Sequence, residues 1–145
     1  GEGRHALCHH LSMLRIESQS PCPCGGKTYG SCCEPIINQA TKAWTAEALM
    51  RSRYTANVIG DVDHLWRTWH PRTRPQTVHR SGNQWLGLQI DEVTNGMPGD
   101  DVGIVEFTAT YRDNWRNKIH HERSLFEYRA NRWMYVEALS LEAIG

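Results

Sequence analysis

Residues 102–111 read VGIVEFTATY, and from residue 105 onward apolar and polar side chains alternate in this stretch. Because successive side chains of a β-strand point to opposite faces, this period of two predicts a strand with one buried face. Neighbouring stretches predict three further strands, over residues 84–90, 119–128 and 132–137. Consecutive strands of this kind favour an antiparallel sheet.

Two helical patterns precede the predicted strands. Apolar residues recur every fourth position between residues 44 and 58, and residues 62–69 show the spacing of a second amphipathic helix. Thr45 and Asp61 are suited to cap the two helices, and Gly60 is suited to end the first. Helices followed by strands predict an α+β fold, with an antiparallel sheet folded over the helices.

The overall composition excludes several classes of protein. The chain has 145 residues, enough for one domain, and its 16 basic residues cancel its 16 acidic residues. A near-neutral chain lacks the positive field of nucleic-acid and anionic-membrane binders, so neither partner is expected. No apolar run approaches the roughly 20 residues of a membrane span, and we expect a cytoplasmic protein. Residues 1–20 are predicted to be a disordered leader or an artificial extension.

Four of the five cysteines lie within a single short loop, at Cys22, Cys24, Cys32 and Cys33. A reducing cytoplasm disfavours disulfides, so thiols clustered in this way favour a metal site. Zinc prefers four soft ligands in a tetrahedron, and the four cysteines are predicted to bind one zinc ion. A reduced segment without metal and a transient redox site are the alternatives.

The same loop resembles the SEC-C motif, a small zinc-binding knuckle named for the C-terminus of the SecA translocation motor. The matching residues are Cys22-Pro23-Cys24-Gly25, Lys27, Tyr29, Cys32 and Cys33. The segment between the second and third cysteines, Gly25 to Ser31, is one residue shorter than is usual for the motif. The resemblance implies a zinc knuckle over residues 21–35 that contacts a protein partner.

Further strings along the chain resemble the YchJ family, also called the UPF0225 proteins. They occur in the family's order and read MRSRYTA (50–56), TWHP (68–71), WLGL (85–88), HERS (121–124) and WMYV (133–136). The resemblance implies an NTF2-like α+β domain over residues 36–145, in which a cone of antiparallel strands packs on helices. It implies no settled biochemical activity.

The third predicted strand places polar groups on the expected inner face of this cone. Glu122 and Ser124 share a face with Phe126. Buried polar groups are costly unless they are hydrogen-bonded, so the two residues either satisfy each other or receive a ligand. As a base, Glu122 would act with Tyr111 or Tyr135 as the oxyanion donor. No nucleophile motif or glycine-rich phosphate loop supports that chemistry, and no catalytic residue is assigned.

Arg53 lies in the apolar stripe of the first predicted helix, where an apolar side chain is expected. A buried guanidinium needs an anion, and we predict a bidentate pair between Arg53 and Glu122 inside the cone. The alternative is that Arg53 extends to the rim along its aliphatic stem while Glu122 faces water. The candidate pocket residues are Arg53, Trp69, Tyr111, Glu122, Ser124 and Tyr135.

Three functions from different classes are consistent with these patterns. The first is a non-catalytic adaptor that binds a protein partner through its zinc knuckle. The second is an enzyme or small-molecule binder that uses the cavity around Glu122. The third is a protein that handles metal or redox equivalents through its thiolates. A closed pocket in the cone would favour the second.

Overall fold

The computed structural model describes residues 13–144, with side chains through residue 142. Within these residues a 3₁₀ turn at Tyr29–Ser31 is followed by α1 (Glu34–Ile37), α2 (Ala46–Ile59), α3 (Val62–Arg67), β1 (Gln84–Asn95), β2 (Val102–Asp113), β3 (Arg116–Arg129) and β4 (Arg132–Ile144). None of the helices in the described part of the chain is long and apolar enough to cross a bilayer.

The four strands form one antiparallel sheet in the order β1-β2-β3-β4. Its inner face buries Val105 and Ala109 of β2 and Phe126 of β3 almost completely. These side chains pack in one hydrophobic core with Leu49 and Met50 of α2. The predicted α+β fold, an antiparallel sheet folded over helices, is confirmed.

The two short hairpins of the sheet, between β2 and β3 and between β3 and β4, turn through residues with positive φ. Asn114 and Trp115 have φ of 49° and 69°, and Ala130 and Asn131 have φ of 52° and 65°. Two central residues of positive φ match the right-handed twist of the flanking strands, which is why such turns are preferred in short hairpins. The sequence predicted the turn at residues 130–131 but not the one at residues 114–115.

The two predicted helices, α2 and α3, begin where the sequence predicted. The Thr45 side chain accepts a hydrogen bond from Ala48 N at 3.0 Å, and that of Asp61 accepts one from His64 N at 3.1 Å. Gly60 ends α2 with a φ of 81°, a conformation that glycine adopts without strain.

The second predicted helix, α3, ends at Arg67 instead of residue 69, because the following residues bond to the sheet. Trp69 forms a parallel bridge with Tyr135 of β4. Tyr135 N donates to the carbonyl of Thr68 at 2.8 Å, and His70 N donates to the carbonyl of Tyr135 at 2.7 Å. The ring of Trp69 consequently lies edge-on to that of Tyr135, with centroids 5.3 Å apart.

The alternation predicted for β1 is wrong at its first residues. The register against β2 shifts between Trp85 and Gly87, which is a bulge in the strand. Trp85 therefore joins the core together with Leu88 and Ile90, whereas Leu86 is exposed. A bulge adds one residue to a strand, and the side chains on either side of it no longer follow a single alternation.

The described part of the predicted leader is bound to the domain. Residues 1–12 lie outside the described residues. Leu14 N donates to the carbonyl of Ile59 at 2.9 Å, and Ser18 Oγ donates to Glu34 Oε1 at 2.7 Å. Tyr29 N also donates to the carbonyl of Ser20 at 2.8 Å. Residues 14–20 are thus tied to α2 and to the cysteine loop, a correction that local patterning could not supply because these partners are distant in sequence.

Candidate functional site

The four predicted metal ligands lie together in the structure. The sulfur atoms of Cys22, Cys24, Cys32 and Cys33 are all within 4.8 Å of one another. Cys24 Sγ lies 3.5 Å from Cys32 Sγ, which lies 3.9 Å from Cys33 Sγ. A zinc–sulfur distance of about 2.3 Å implies tetrahedral sulfur–sulfur separations of about 3.8 Å. The cluster therefore has the donor type and the spacing of a tetrahedral metal site.

Two glycines let the chain fold tightly around these sulfur atoms. Gly25 has a φ of 86°, and its N–H donates to the carbonyl of Cys22 at 3.0 Å. A Cβ atom at Gly26 would lie 2.9 Å from Cys32 Sγ and 3.3 Å from Cys24 Sγ. A side chain at residue 26 would therefore push the ligands apart.

The cysteine cluster is packed against α2. Cys24 and Cys33 are fully buried, and Cys22 Sγ lies 3.8 Å from Thr55 Oγ1. Arg51 of the same helix donates from Nη1 to the carbonyl of Cys24 at 2.8 Å. The segments 21–35 and 36–145, predicted as separate domains, therefore share one core.

The sulfur atoms stabilise one thiolate among them. Hydrogen bonds with Cys24 and Cys33 lower the pKa of Cys22, whereas hydrogen bonds with Cys22 and Cys24 raise the pKa of Cys33. Burial raises the pKa of Cys32 to about 12. The thiolate is the form that binds metals, so a bound cation would replace the shared protons.

A cavity of about 260 Å³ lies between α2 and the inner face of the sheet. Of the six predicted pocket residues, it is lined by Arg53, Trp69, Glu122, Ser124 and Tyr135. The rest of the wall includes four aromatic side chains, those of Tyr54, Trp85, Phe107 and Phe126. The structure therefore brings five of the six together around one cavity.

Glu122 is the most strongly bound polar group in this cavity. Its Oε2 accepts from Ser124 Oγ at 2.6 Å and from Tyr135 Oη at 2.9 Å, and its Oε1 lies 3.0 Å from His120 Nε2. Burial opposes ionisation, but the hydrogen bonds from His120, Ser124 and Tyr135 outweigh it and lower the pKa of Glu122. A carboxylate held ionised in this way is a weak base, so the geometry does not favour the predicted basic role.

The predicted ion pair between Arg53 and Glu122 is wrong. Arg53 Nη1 donates instead to the carbonyl of Leu65 at 2.8 Å and to Thr68 Oγ1 at 2.7 Å. The guanidinium carbon lies 4.6 Å from the centre of the Tyr135 ring, and the hydroxyl of Tyr135 binds Glu122. Tyr135 thus contacts both charged groups, and each has other partners.

Tyr111 does not belong to the cavity. It lies on the same face of β2 as Phe107, but four residues farther along the strand, and its ring packs on Trp85 with centroids 5.2 Å apart. Of the two predicted tyrosines, Tyr135 is the one that forms a hydrogen bond with Glu122.

His120 is the cavity residue that the sequence analysis missed. Its ring stacks on Phe107 at a centroid distance of 5.9 Å, and because Glu122 is ionised, Nε2–H is the donor between them. Residues two apart on a strand share a face, so the position of His120 relative to Glu122 was a sufficient signal. Asn57, one turn beyond Arg53 on α2, also lines the cavity.

A separate polar network covers the outer face of the sheet. His121 Nε2 lies 2.9 Å from Glu106 Oε2, and His121 Nδ1 lies 3.5 Å from Asp91 Oδ2. Thr108 Oγ1 lies 2.9 Å from the same Nδ1. Both nitrogens of His121 therefore have partners on the face opposite to Glu122.

Comparisons with known proteins agree with this architecture. A family model described as "YchJ, middle NTF2-like domain" matches residues 45–138. A UPF0225 protein of Streptomyces coelicolor is 44% identical over 124 residues, which cover 84% of this chain and 97% of that protein. A UPF0225 protein of Chromobacterium violaceum is 38% identical over 128 residues, which cover 85% and 95%.

Two solved structures share the fold. The solution structure of a SEC-C motif containing protein from Rhodopseudomonas palustris has a TM-score of 0.75 and 33% identity, covering 83% of this chain and 98% of that one. The crystal structure of a SEC-C motif containing protein from Psychrobacter arcticus has a TM-score of 0.71 and 25% identity, covering 83% and 82%. The matched strands and helices carry an NTF2-like fold, and the chain belongs to the YchJ (UPF0225) family.

Proposed function

We propose that this protein binds a small organic molecule in its cavity, and that a zinc ion on the four cysteines braces the helix that forms one wall. One observation carries the proposal. Arg53 and Glu122 both face the cavity, but they do not form an ion pair with each other. Charged side chains are costly to hold away from water, and they cluster at sites that use them.

The shape of the cavity also supports a ligand site. A volume of about 260 Å³ is close to the lower end of the range for small-molecule pockets. Walls of apolar and aromatic side chains with a few converging polar groups are typical of such pockets. A filled core would instead place apolar side chains in this space, since protein interiors pack densely.

The tryptophans provide a direct test of ligand binding. Trp69 and Trp85 line the cavity, whereas Trp115 is 94% exposed at the β2–β3 turn. We expect small aromatic compounds from a fragment collection to shift the indole N–H signals of Trp69 and Trp85 in ¹⁵N-labelled protein. The signal of Trp115 should stay in place as the internal control. Shifts confined to Trp115, or no shifts at millimolar concentration, would contradict the proposal.

Zinc is the metal that best suits the cysteine cluster. Four thiolates in a tetrahedron, with all ligands from protein, are typical of structural zinc sites rather than catalytic ones. The helix α2 supplies the surrounding contacts through Thr55 and Arg51. Such contacts orient ligands and tune the affinity for metal.

Metal analysis of freshly reduced protein tests this assignment. We expect one zinc ion per chain, and a marked loss in Cys24→Ser, because Cys24 is fully buried within the cluster. Cys8→Ser is the control, since Cys8 lies outside the motif, and it should keep full stoichiometry. Iron in place of zinc would overturn the metal identity, and full zinc in Cys24→Ser would overturn the ligand set.

A protein partner for the cysteine loop is a separate hypothesis. Of the loop, the turn at Gly25–Lys27 is exposed, while three of the four cysteines are buried against the domain. A partner would therefore contact the turn rather than the metal ligands. Lys27→Glu should keep its zinc, and it should release any protein that copurifies with the wild type through this turn.

A further inference from the structure

The guanidinium of Arg53 has hydrogen-bond donors to spare. Nη1 makes two hydrogen bonds, to Leu65 O and Thr68 Oγ1. The remaining groups, Nε–H and Nη2–H₂, have no partner among the residues that the structure describes, and these nitrogens are not sealed from solvent. Nε–H and one Nη2–H point in parallel from one edge of the planar guanidinium, which is the arrangement that binds a carboxylate with two parallel hydrogen bonds.

The positive charge of Arg53 has only neutral direct partners. Its guanidinium carbon lies 4.6 Å from the Tyr135 ring centre and 5.4 Å from that of Trp69. Burial lowers the pKa of Arg53 to about 10, so the group is still charged at neutral pH. The rings fix the plane of the guanidinium without neutralising it, because cation–π attraction leaves the charge in place.

The carboxylate of Glu122 differs in this respect. It already accepts hydrogen bonds from Ser124 Oγ, Tyr135 Oη and His120 Nε2. A cationic ligand would have to displace one of these donors or use the single lone pair left on Oε1. An anionic ligand meets donors at Arg53 that are free. The cavity is therefore arranged to accept an anion rather than a cation.

The walls determine the rest of the ligand. Trp85, Phe107 and Phe126 line the cavity beyond the polar groups. Flat apolar surfaces favour a planar apolar body over a strongly hydrated one. A volume of about 260 Å³ equals that of roughly nine water molecules at 30 Å³ each, which restricts the ligand to a small molecule.

From these observations we propose that the cavity binds a small planar monocarboxylate, such as an aromatic acid. Its carboxylate accepts from Nε–H and Nη2–H of Arg53, and its apolar body lies against Trp85 and Phe107. This inference rests on the proposed function and adds the chemical class of the ligand to it.

The test compares probes of one shape and different charge. Benzoate, benzamide and benzamidine share a ring and a planar substituent but carry negative, zero and positive charge. Titration of each into ¹⁵N-labelled full-length protein, followed through the indole signals of Trp69 and Trp85, gives three dissociation constants. We expect benzoate to bind at least about tenfold more tightly than benzamide, because charge-assisted bidentate hydrogen bonds are roughly twice as strong as neutral ones.

Variants of Arg53 test whether this residue recognises the negative charge of the ligand. Arg53→Met should remove the preference for benzoate over benzamide while binding of benzamide persists. Arg53→Lys keeps the charge but loses the two parallel donors, and it should retain only part of the preference. If the Met variant does not fold, the comparison of probes in the wild type and in Arg53→Lys still decides.

Each remaining outcome overturns a defined part of the proposal. Equal affinity for benzoate and benzamide leaves the cavity as a ligand site and refutes the preference for carboxylates. Tighter binding of benzamidine than of benzoate would make Glu122 the recognition group and would also refute the preference for carboxylates. Inorganic phosphate that displaces benzoate at equal concentration refutes the planar apolar body. If none of the probes shifts the two cavity tryptophans, the proposed function fails together with this inference.

Discussion

Mild acid should destabilise this protein through His64, which the core holds in its neutral form. His64 is 1% exposed, and its Nε2 lies 2.9 Å from Ser52 Oγ. Ser52 Oγ donates to the carbonyl of Leu49 at 2.8 Å, so it accepts from Nε2–H, and Nδ1 has no partner among the described residues. Burial, followed by the charges of Arg53 and Arg67, lowers the pKa of His64 to about 3.

The magnitude follows from the difference between the folded and unfolded states. With a pKa of 6.5 when unfolded, against about 3 when folded, the unfolded chain binds a proton that the folded protein does not. The free energy of unfolding therefore falls as the pH falls from 6.5 toward 3, by up to about 1.4 kcal/mol per pH unit. At pH 5 the loss is about 2 kcal/mol, and well above pH 6.5 His64 adds no pH dependence.

His64→Gln isolates this contribution, because glutamine keeps an N–H donor for Ser52 and does not titrate. Urea unfolding followed by tryptophan fluorescence gives the free energy of unfolding of the wild type and of His64→Gln at about pH 7 and about pH 5. Relative to the variant, the wild type should lose about 2 kcal/mol more between the two conditions. His79→Gln, in the exposed loop before β1, should behave as the wild type does. Parallel losses in wild type and His64→Gln would refute the reasoning, since other titrating groups cancel in the comparison.

Further substitutions test the sheet and the first long helix by urea or thermal unfolding. Glu122→Gln should lower the free energy of unfolding by about 2–3 kcal/mol at neutral pH, because three donors point at its charge. Glu127→Gln, on the outer face, should lower it by less than about 1 kcal/mol. The gap should close in acid, since the lowered pKa of Glu122 gives a stabilisation that is lost as the pH falls through it. Thr45→Ala should cost about 1 kcal/mol by removing the cap of α2; an unchanged midpoint would exclude that role. Gly103→Ala should destabilise strongly, because its Cβ would lie 2.5 Å from a backbone carbon, whereas Gly87→Ala, with open space around it, should not; similar midpoints would contradict this packing.

The alternating pattern was sufficient to predict β2 because one face of that strand packs on the core and the other meets solvent. Caps were equally readable, since Thr45 and Asp61 act on residues three positions away. Leu86 was misread because a bulge leaves no trace in an alternation count. The early end of α3 also depended on a distant partner, the strand residue Tyr135 that binds the backbone on either side of Trp69.

The candidate sites also differ in whether local sequence was enough to predict them. The cysteine cluster was predictable because all four ligands lie in one loop, so their spacing carries the geometry. The partner of Arg53 was not, because a helical wheel gives the direction of a side chain but not what stands across the core. Tyr135 occupies that space and binds Glu122 itself. His120, by contrast, could have been found from strand parity alone.

The two sites meet on opposite faces of α2, which accounts for their presence in one compact unit. Arg51 and Thr55, one turn apart, contact the cysteine loop. Arg53 and Asn57, also one turn apart, line the cavity. A displacement of two residues in a helix rotates the side chain by about 200°, so these pairs necessarily point in nearly opposite directions. The cysteine loop thus contacts the side of the helix opposite to Arg53, and on the proposed function loss of the metal would shift this guanidinium relative to the sheet.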